Sequence, residues 1–472
     1  MVFVAHAKVE CQLRFVIDVF SRNKKSLSGN AMSRLVLTAE LLAQLRAELL
    51  ESKQETCAVL FGRAVVKNRQ LVRIVVREYQ RIDAKDYLQR TETRAQLSPA
   101  IVASVTQRAR KSGESLVFVH SHPFALNEFS SIDDEGENTL SNFLANRTPE
   151  TIHATLLVTP EATIARVLGS SNMIKVVGVG SQLVWGDNAG VTEDLLSFDR
   201  QVRVFGIEGQ NRLQNIRVGI VGLGGTGSVV MEQLAHLGVT RFLLIDPDEV
   251  ERTNLNRLVG ASESDVNTPK VRVASSLAKR INKNAQVEVV VGSVLLASVA
   301  EQLINTDFVF CCTDSHGSRA VINQFAYQYL VPIIDMGVVI VAPMGKISHI
   351  AGRTQMLAPG LGCLLCGNLL DPEAVRVDLL TDFERAADTY IIGSRSPAPS
   401  VISLNSTVAS MAVTMFLSAV AGVPSRARLV NYNGMAGTTR SAVVIPHPTC
   451  YACSLRGALA RANEWPLPAR LS

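Results

Sequence analysis

Three features are scarce in this sequence, and each scarcity removes a class of protein. Cysteine is one: eight residues in a chain of 472 do not make the disulfide framework of a small secreted domain. Long blocks of lysine and arginine are absent, and the formal net charge is only +5. No nucleic-acid partner is therefore expected. A secretory leader is the third. The opening stretch, MVFVAHAKVECQLRFVIDVF, scatters charges and has no compact apolar core before a small-residue cleavage site, so the expected location is the cytoplasm. No internal repeat is visible.

What the chain does have is apolar content of 47% with 19% charged residues, the composition of a globular protein. Its length suggests two to four domains. The segment from Pro397 to Ser425 carries one charge-free run long enough to cross a bilayer. However, Ser400, Ser403, Asn405, Ser406, Thr407, Ser410, Thr414 and Ser418 are spread through it. A helix buried in a large α/β domain is the better expectation, and no membrane partner is inferred.

Residues 1–32 give no pattern and are left unassigned. Leu37, Leu41, Leu45 and Leu49 predict one amphipathic helix over Leu35–Leu50. Strands are predicted at Cys57–Phe61, Leu71–Arg77, Leu116–Val119, Thr155–Val158, Thr163–Leu168 and Ile174–Val179, with helices at Ile101–Lys111 and Asp133–Asn146. A Gly-, Asp- and Asn-rich change of composition at Trp185–Val191 marks a linker. The expected division is a first domain over 33–184, a linker over 185–195 and a second domain over 196–472. In the second domain, strands at Val218–Val221, Arg241–Ile245, Val287–Val291, Phe308–Cys311 and Ile333–Val341, with a helix over Gly227–Leu237, predict an open α/β sheet with crossover helices.

In the first domain, His120-Ser121-His122-Pro123 ends a strand. Residues two apart on a strand share a face, so both imidazoles can reach one ion. Asp133 follows eleven residues after His122, within Ser130-Ser131-Ile132-Asp133 at a helix start. Two imidazoles and a carboxylate leave zinc an open position for water, as a catalytic site requires, and a nearby carboxylate can take that water's proton. Taken singly, Ser130 and Asp133 also read as a helix-capping box and Glu55 as a surface charge. Together, Glu55 with Cys57-Ala58-Val59-Leu60-Phe61-Gly62, His120-x-His122-Pro123 and Ser130-x-x-Asp133 resemble the JAMM/JAB metalloprotease motif across roughly residues 33–180. The resemblance implies zinc on His120, His122 and Asp133, Glu55 as general base, and Ser130 as a hydrogen-bond donor to the developing oxyanion. It also implies cleavage after the C-terminal Gly-Gly of ubiquitin-like proteins.

In the second domain, Gly222-Leu223-Gly224-Gly225-Thr226-Gly227 lies between a strand and a helix, and Asp246 ends the next strand. That much fits any dinucleotide-binding fold. Asp246-x-Asp248, Asn254-Leu255-Asn256-Arg257, Pro269-Lys270 and Cys312-Thr313-Asp314 narrow it. The set resembles the ThiF/MoeB and ubiquitin-activating superfamily, which implies a Rossmann-like adenylation domain. By that resemblance Asp246 holds the ribose, Arg257 and Lys270 neutralise ATP phosphates, and Asp314 binds Mg²⁺. Arg200 serves the partner subunit's ATP in a homodimer. Cys363-x-x-Cys366 and Cys450-x-x-Cys453 suit a closed structural zinc site, with a redox pair as the alternative. Thioester-forming relatives carry a cysteine in the crossover loop; here Asp388–Ser396 has none.

The reading is therefore an α/β fusion: a JAMM-type peptidase followed by an ATP-dependent enzyme that adenylates the C-terminal glycine of a ubiquitin-like protein. Activation of a sulfur-carrier protein and a non-catalytic scaffold are the alternatives. The expected partners are a carrier ending in Gly-Gly and, further on, a conjugating enzyme.

Overall fold

The computed structural model describes residues 33–124, 127–187, 196–388 and 398–471. The unassigned segment 1–32, most of the expected linker and most of the crossover loop lie outside the described residues.

The first domain is built on eight strands. They are β1 (Arg34–Thr38), β2 (Cys57–Lys67), β3 (Gln70–Arg81), β6 (Ser115–Ser121), β7 (Ala154–Val158), β8 (Thr163–Val167), β9 (Met173–Val179) and β10 (Leu183–Trp185), with β4 (Tyr87–Arg90) and β5 (Ala95–Leu97) forming a separate hairpin. The order is β1-β3-β2-β6-β7-β8-β9-β10, and β1 also pairs with β9, so the sheet closes on itself. Inward-facing Leu35, Leu37, Leu60, Ile74, Val117 and Leu156 fill the interior with Leu42, Leu45 and Leu49 of helix α1 (Ala39–Leu49). Helices α2 (Pro99–Ser112) and α3 (Ser131–Ala145) cover the outside of β2 and β6.

One expected helix is corrected. The residues Leu35–Thr38 belong to strand β1, and α1 starts at Ala39, where the Thr38 hydroxyl accepts a hydrogen bond from Leu41 N at 3.1 Å. Leu35, Val36 and Leu37 are all buried; a strand covered on both faces is a continuous apolar run, which helical spacing cannot distinguish from a helix turn. The first sheet also reaches into the expected linker. Trp185 lies in β10, and Gly186 donates to Val176 O and accepts from Thr163 N.

In the second domain, β11 (Arg217–Val221), β12 (Arg241–Ile245), β13 (Gln286–Val290), β14 (Phe308–Cys311) and β15 (Ile333–Val341) run parallel. Strands β16 (His349–Leu357), β17 (Leu429–Asn433) and β18 (Thr438–Ser441) continue the sheet antiparallel. Helices α4 (Asp199–Asn215), α5 (Gly225–His236), α6 (Lys270–Ile281), α7 (His316–Gln328) and α8 (Ile402–Val420) accompany it. Helix α8 is the apolar segment noted above. It is long and apolar enough to cross a membrane, but it packs on α5 and β15 and buries Val408, Ala412, Val413 and Phe416, whose ring meets Phe308 edge-on at 4.9 Å.

Sequence alone did not reveal how the domains join. Arg34, Arg73 and Lys175 stand in one row across β1, β3 and β9, facing outward with Val36, Val75 and Val177, which join the second domain's core. Arg34 pairs with Asp307 while both are almost wholly buried. Arg73, 1% exposed, donates to Tyr329 O, Leu330 O and Thr306 O at 2.6–3.0 Å, satisfying carbonyls left open at the end of α7. Burial alone would raise the Asp307 carboxyl, but Arg34 and then Lys175 hold it far below the usual carboxylate range. Arg77 adds a bond to Leu455 O.

Removing one partner of a buried pair strands the other charge, at a cost of about 3–5 kcal/mol, against less than about 1 kcal/mol for an exposed pair. Asp307→Ala is therefore expected to lower the denaturant midpoint much more than Arg376→Ala, which breaks an exposed pair. Equal losses would contradict this account of the interface. A pH effect follows from His153, whose Nδ1 accepts from Leu116 N and whose Nε2 faces Thr148 Oγ1 at 2.8 Å. Burial pushes this imidazole down to about 4, so its contribution is complete above the free-histidine value of about 6.5 and is lost as pH falls toward 4. Stability should fall across that window, and less steeply in His153→Gln; identical slopes in a pH series of melts would count against it.

Candidate functional sites

The first site gathers at the carboxyl end of β6 and the amino ends of β2 and α3. His120 pairs in register with Cys57, and His122 is fixed by a bond from its N to Val158 O. The Ser121 hydroxyl accepts from Thr56 N at 3.0 Å, tying the two strand ends together. Glu55 is held by its backbone: its N donates to Thr91 O and its O accepts from Arg90 Nε, so the β4–β5 hairpin sets its position. His120 Nε2 is 3.1 Å from Asp133 Oδ1, His122 Nε2 is 3.4 Å from Asp133 Oδ2, and His122 Nε2 is 3.7 Å from Glu55 Oε1.

The donor atoms of His120, His122 and Asp133 lie within 4.8 Å of one another. His120 Nε2 is shielded from solvent without a well-directed hydrogen bond. A buried polar atom in that state, in a two-imidazole, one-carboxylate set, fits a zinc ligand. Burial raises Glu55, partly offset by the two histidines. At Asp133 burial also acts upward, but the histidine contacts dominate and hold the carboxyl far below the usual range.

Ser130 is found in the helix-capping box, the plainer of the two readings of its motif. It is the N-cap of α3, accepting from Asp133 N, and its own N and Oγ donate to Asp133 Oδ2 at 2.7 and 2.8 Å. The capping box is thus the device that aims Asp133 at the histidines. Sequence reasoning missed the outer layer: Phe129 lies 6.0 Å from His120, under the Arg166 guanidinium, which pairs with Glu137 and Asp134. Nothing in their spacing singles these residues out.

The second site lies where the parallel strands end. Gly222, at φ +88°, follows β11, and an added side chain there would press on Cys312 O at 2.8 Å. Gly224 opens onto free space, while a Cβ on Gly227 would overlap Gly222 O at 1.8 Å and one on Gly225 would meet Asn405 Nδ2 at 2.3 Å. This is the close backbone packing that a phosphate-cradling turn requires.

Asp246 ends β12, buried, and accepts from Leu223 N and Asp248 N; burial raises it despite those bonds. Lys270, at the start of α6, bonds Asp248 Oδ2 at 2.7 Å. Asn254 accepts from Glu251 N through its side chain, shaping the short turn from which Arg257 projects beside the glycine loop. Asp314 is exposed just past β14. Contacts thus link Lys270 to Asp248, Asp248 to Asp246 and Arg257 to the glycine turn, while Asp314 follows the neighbouring strand β14. Arg200, exposed on α4, comes before β11.

A second missed group lies one strand further on, where Asp335 pairs in register with Cys311. Asp335, wholly buried in β15, sits between Arg319 on α7 and Arg353 on β16. The available signal was one acid in an otherwise apolar strand.

The four cysteines converge. Cys363 Sγ is 3.7 Å from Cys366 Sγ and 3.5 Å from Cys450 Sγ, and Cys366 Sγ is 3.5 Å from Cys453 Sγ. Hydrogen bonding from Cys453 draws the Cys363 thiol down to about 5 while Cys453 itself is driven up, and His447 N donates to Cys366 Sγ. A four-sulfur set whose ligand atoms all lie within 4.8 Å of one another fits tetrahedral zinc.

An open parallel sheet with a glycine turn after one strand and an acid after its neighbour defines a nucleotide-binding protein of the doubly wound class. Residues 198–452, just over half of the chain, match the ThiF family model, and the chain belongs to the ThiF family. Residues 37–165 match the model of prokaryotic homologs of the JAB domain, so both expected resemblances and their order hold. The SAMP-activating enzyme E1 of Haloferax volcanii is 30% identical over 53% of this chain and 85% of its own. The molybdopterin-synthase adenylyltransferase of Escherichia coli is 28% identical over 55% of this chain and 97% of its own. A structure of E. coli MccB with ATP aligns over 55% of this chain and 75% of that one, at 19% identity and a TM-score of 0.45.

The two metal-competent sets differ in kind, one closed and one with an open position. Purified protein should hold two zinc ions per chain, and a chelator should remove the one at His120, His122 and Asp133 first while circular dichroism stays unchanged. Elemental analysis giving one zinc or none would contradict this, as would simultaneous loss of both.

Proposed function

We propose that this chain adenylates the C-terminal glycine of a ubiquitin-fold carrier protein and that its first domain is a zinc peptidase acting behind the Gly-Gly end of such a carrier. What supports the first half is the ThiF family match together with the Gly222–Gly227 turn, Asp246 and Asp314 that follow three neighbouring parallel strands, and Arg257 and Lys270 beside them. Two of its relatives are named for carrier activation, one for a SAMP modifier and another for the sulfur carrier ThiS.

In the adenylation step the glycine carboxylate oxygen bonds to the α-phosphorus of ATP. The bond from that phosphorus to the bridging oxygen breaks, and pyrophosphate leaves. Two anions must approach, so cations have to offset the repulsion. Lys270, now paired with Asp248, and Arg257, beside the glycine turn, fill that role, with Arg200 supplied by a second copy. Asp246 accepts from the ribose hydroxyls, and Asp314 would hold Mg²⁺, which screens the leaving pyrophosphate when bound.

In the first domain His120, His122 and Asp133 would hold zinc, which when bound supplies Lewis-acid activation of a water. Glu55, buried beside His122, takes the proton and returns it to the departing amine as the peptide C–N bond breaks. Ser130 donates to Asp133 here, so its part is to hold that ligand, and it serves an oxyanion only if that bond is released.

The fate of the adenylate is set by thiols. The crossover-loop stretch lacks cysteine. Cys311 is driven up to about 12 by burial. Burial likewise drives Cys312 well above its ordinary value, followed by Cys311 and Asp335 rather than the adjacent Asp314. A thiol held protonated is a poor acyl acceptor, so the acyl group passes directly to a separate acceptor.

Pyrophosphate exchange into ATP that depends on an added carrier ending in Gly-Gly tests the central reading. A panel of ubiquitin-fold carriers giving none would leave a scaffold as the better account. Glu55→Gln should retain zinc yet slow cleavage of a carrier extended beyond Gly-Gly by about 10²–10⁴-fold; cleavage at the parental rate would remove Glu55 from the mechanism. After incubation with ATP and carrier, a non-reducing gel should show no adduct that disappears with reductant. Such an adduct, lost in Cys312→Ala, would make Cys312 the acyl carrier.

A further inference from the structure

The two centres lie at strand ends away from the contacts that join the two domains. The buried arginine contacts that seat the first domain reach the amino-terminal edge of the parallel sheet. Asp307 precedes β14 and accepts from Arg217 N at the start of β11; Thr306 precedes it, and Tyr329 and Leu330 precede β15. The nucleotide residues Gly222, Asp246 and Asp314 all follow the carboxyl ends of the same strands. Strands of four to five residues, at about 3.3 Å each, separate the two edges by roughly 15 Å.

The first domain adds a second displacement. Its closed sheet meets the second domain through β9, β1 and β3 and through Arg63 and Val65 of β2, whereas His120 and His122 stand at the carboxyl end of β6. Around the ring β6 is three strands from β1 by way of β3 and β2, and four by way of β9, β8 and β7. The β2 contacts begin at Arg63, past Gly62, which faces the start of β6 at Ser115, while His120 faces Cys57 six residues away, so the metal-competent set is about 20 Å along the strand from the nearest of them. The four-cysteine segment stiffens this arrangement: Leu455 O accepts from Arg77 on β3, and Glu464 lies 3.7 Å from Arg63 on β2 and 4.0 Å from Arg77.

We infer that one chain processes and adenylates its carrier in two separate encounters, the trimmed carrier returning to solution between them. This rests on the function proposed above. An extended carrier tail would have to pass the full height of the parallel sheet and about 20 Å of the closed sheet to move between centres while its globular part stayed bound.

The test mixes the full-length chain and ATP with heavy-nitrogen carrier bearing an extension after Gly-Gly and an equal amount of unlabelled carrier already ending there. Mass spectrometry of quenched samples reads the labelled share of carrier adenylate. It should equal the labelled share of free trimmed carrier at every time point; an excess of label in the first turnovers would overturn the inference. As a second measure, a Glu55→Gln chain mixed with an Asp314→Ala chain should convert extended carrier to adenylate as fast as intact chain at matched concentration of each centre. A faster intact chain would overturn it too. Cleavage without ATP, and exchange with carrier already trimmed, read the two activities singly. Loss of either removes the functional reading itself and is told apart from channelling.

Discussion

The buried arginine row decides how everything else is placed. Arg34 and Arg73 are 4% and 1% exposed, and a guanidinium leaves water at acceptable cost only where strong acceptors meet it. Asp307 and the carbonyls of Thr306, Tyr329 and Leu330 supply those acceptors. Because the partners are backbone groups at one edge of a sheet and the turn after one helix, only one docking satisfies them. Apolar contact between Val36, Val75 and Val177 and the second domain's core gives the interface its area, while the arginines give it register.

Strand polarity then assigns chemistry to the remaining surfaces. In a parallel sheet the turns leaving the carboxyl ends collect helix amino termini and their free N–H groups, the setting for phosphate. The opposite edge has no such groups to offer and is free to be covered, which is where the first domain and the four-cysteine segment lie. The same economy appears at the other centre. A helix cap that any sequence could use for stability, Ser130 with Asp133, is turned so that its carboxylate also faces two imidazoles. A structural and a ligand role here share one residue without competing, because a carboxylate has two oxygens with several acceptor directions.

Legibility in the sequence followed burial. Arg241–Ile245, Phe308–Cys311 and Ile333–Val341 were found at the bounds expected, since buried parallel strands read as short apolar runs ended by turn residues. The start of α1 was misplaced for the same reason: Leu35–Leu37 is a strand buried on both faces, and its leucines fall into phase with those of the helix beyond it. Site residues with demanding chemistry, the histidines, the glycine turn and the paired cysteines, stood out because their spacing has few other uses. Arg73, Asp307, Asp335 and Arg319 did not, because a charged residue in a sequence gives no sign of whether it will be buried.

By itself, then, the sequence determined the two domain types, their order, and which side chains could bind metal or nucleotide; these depend on residue type and on separations along one strand or turn. Tertiary structure alone decided that the outward face of β1, β3 and β9 covers the amino-terminal edge of the second sheet and that a capping-box carboxylate faces two imidazoles. These depend on groups brought together across 11 to 273 positions, from His122 with Asp133 to Arg34 with Asp307. Contacts at that distance are chosen by what can be desolvated together, which no local pattern records.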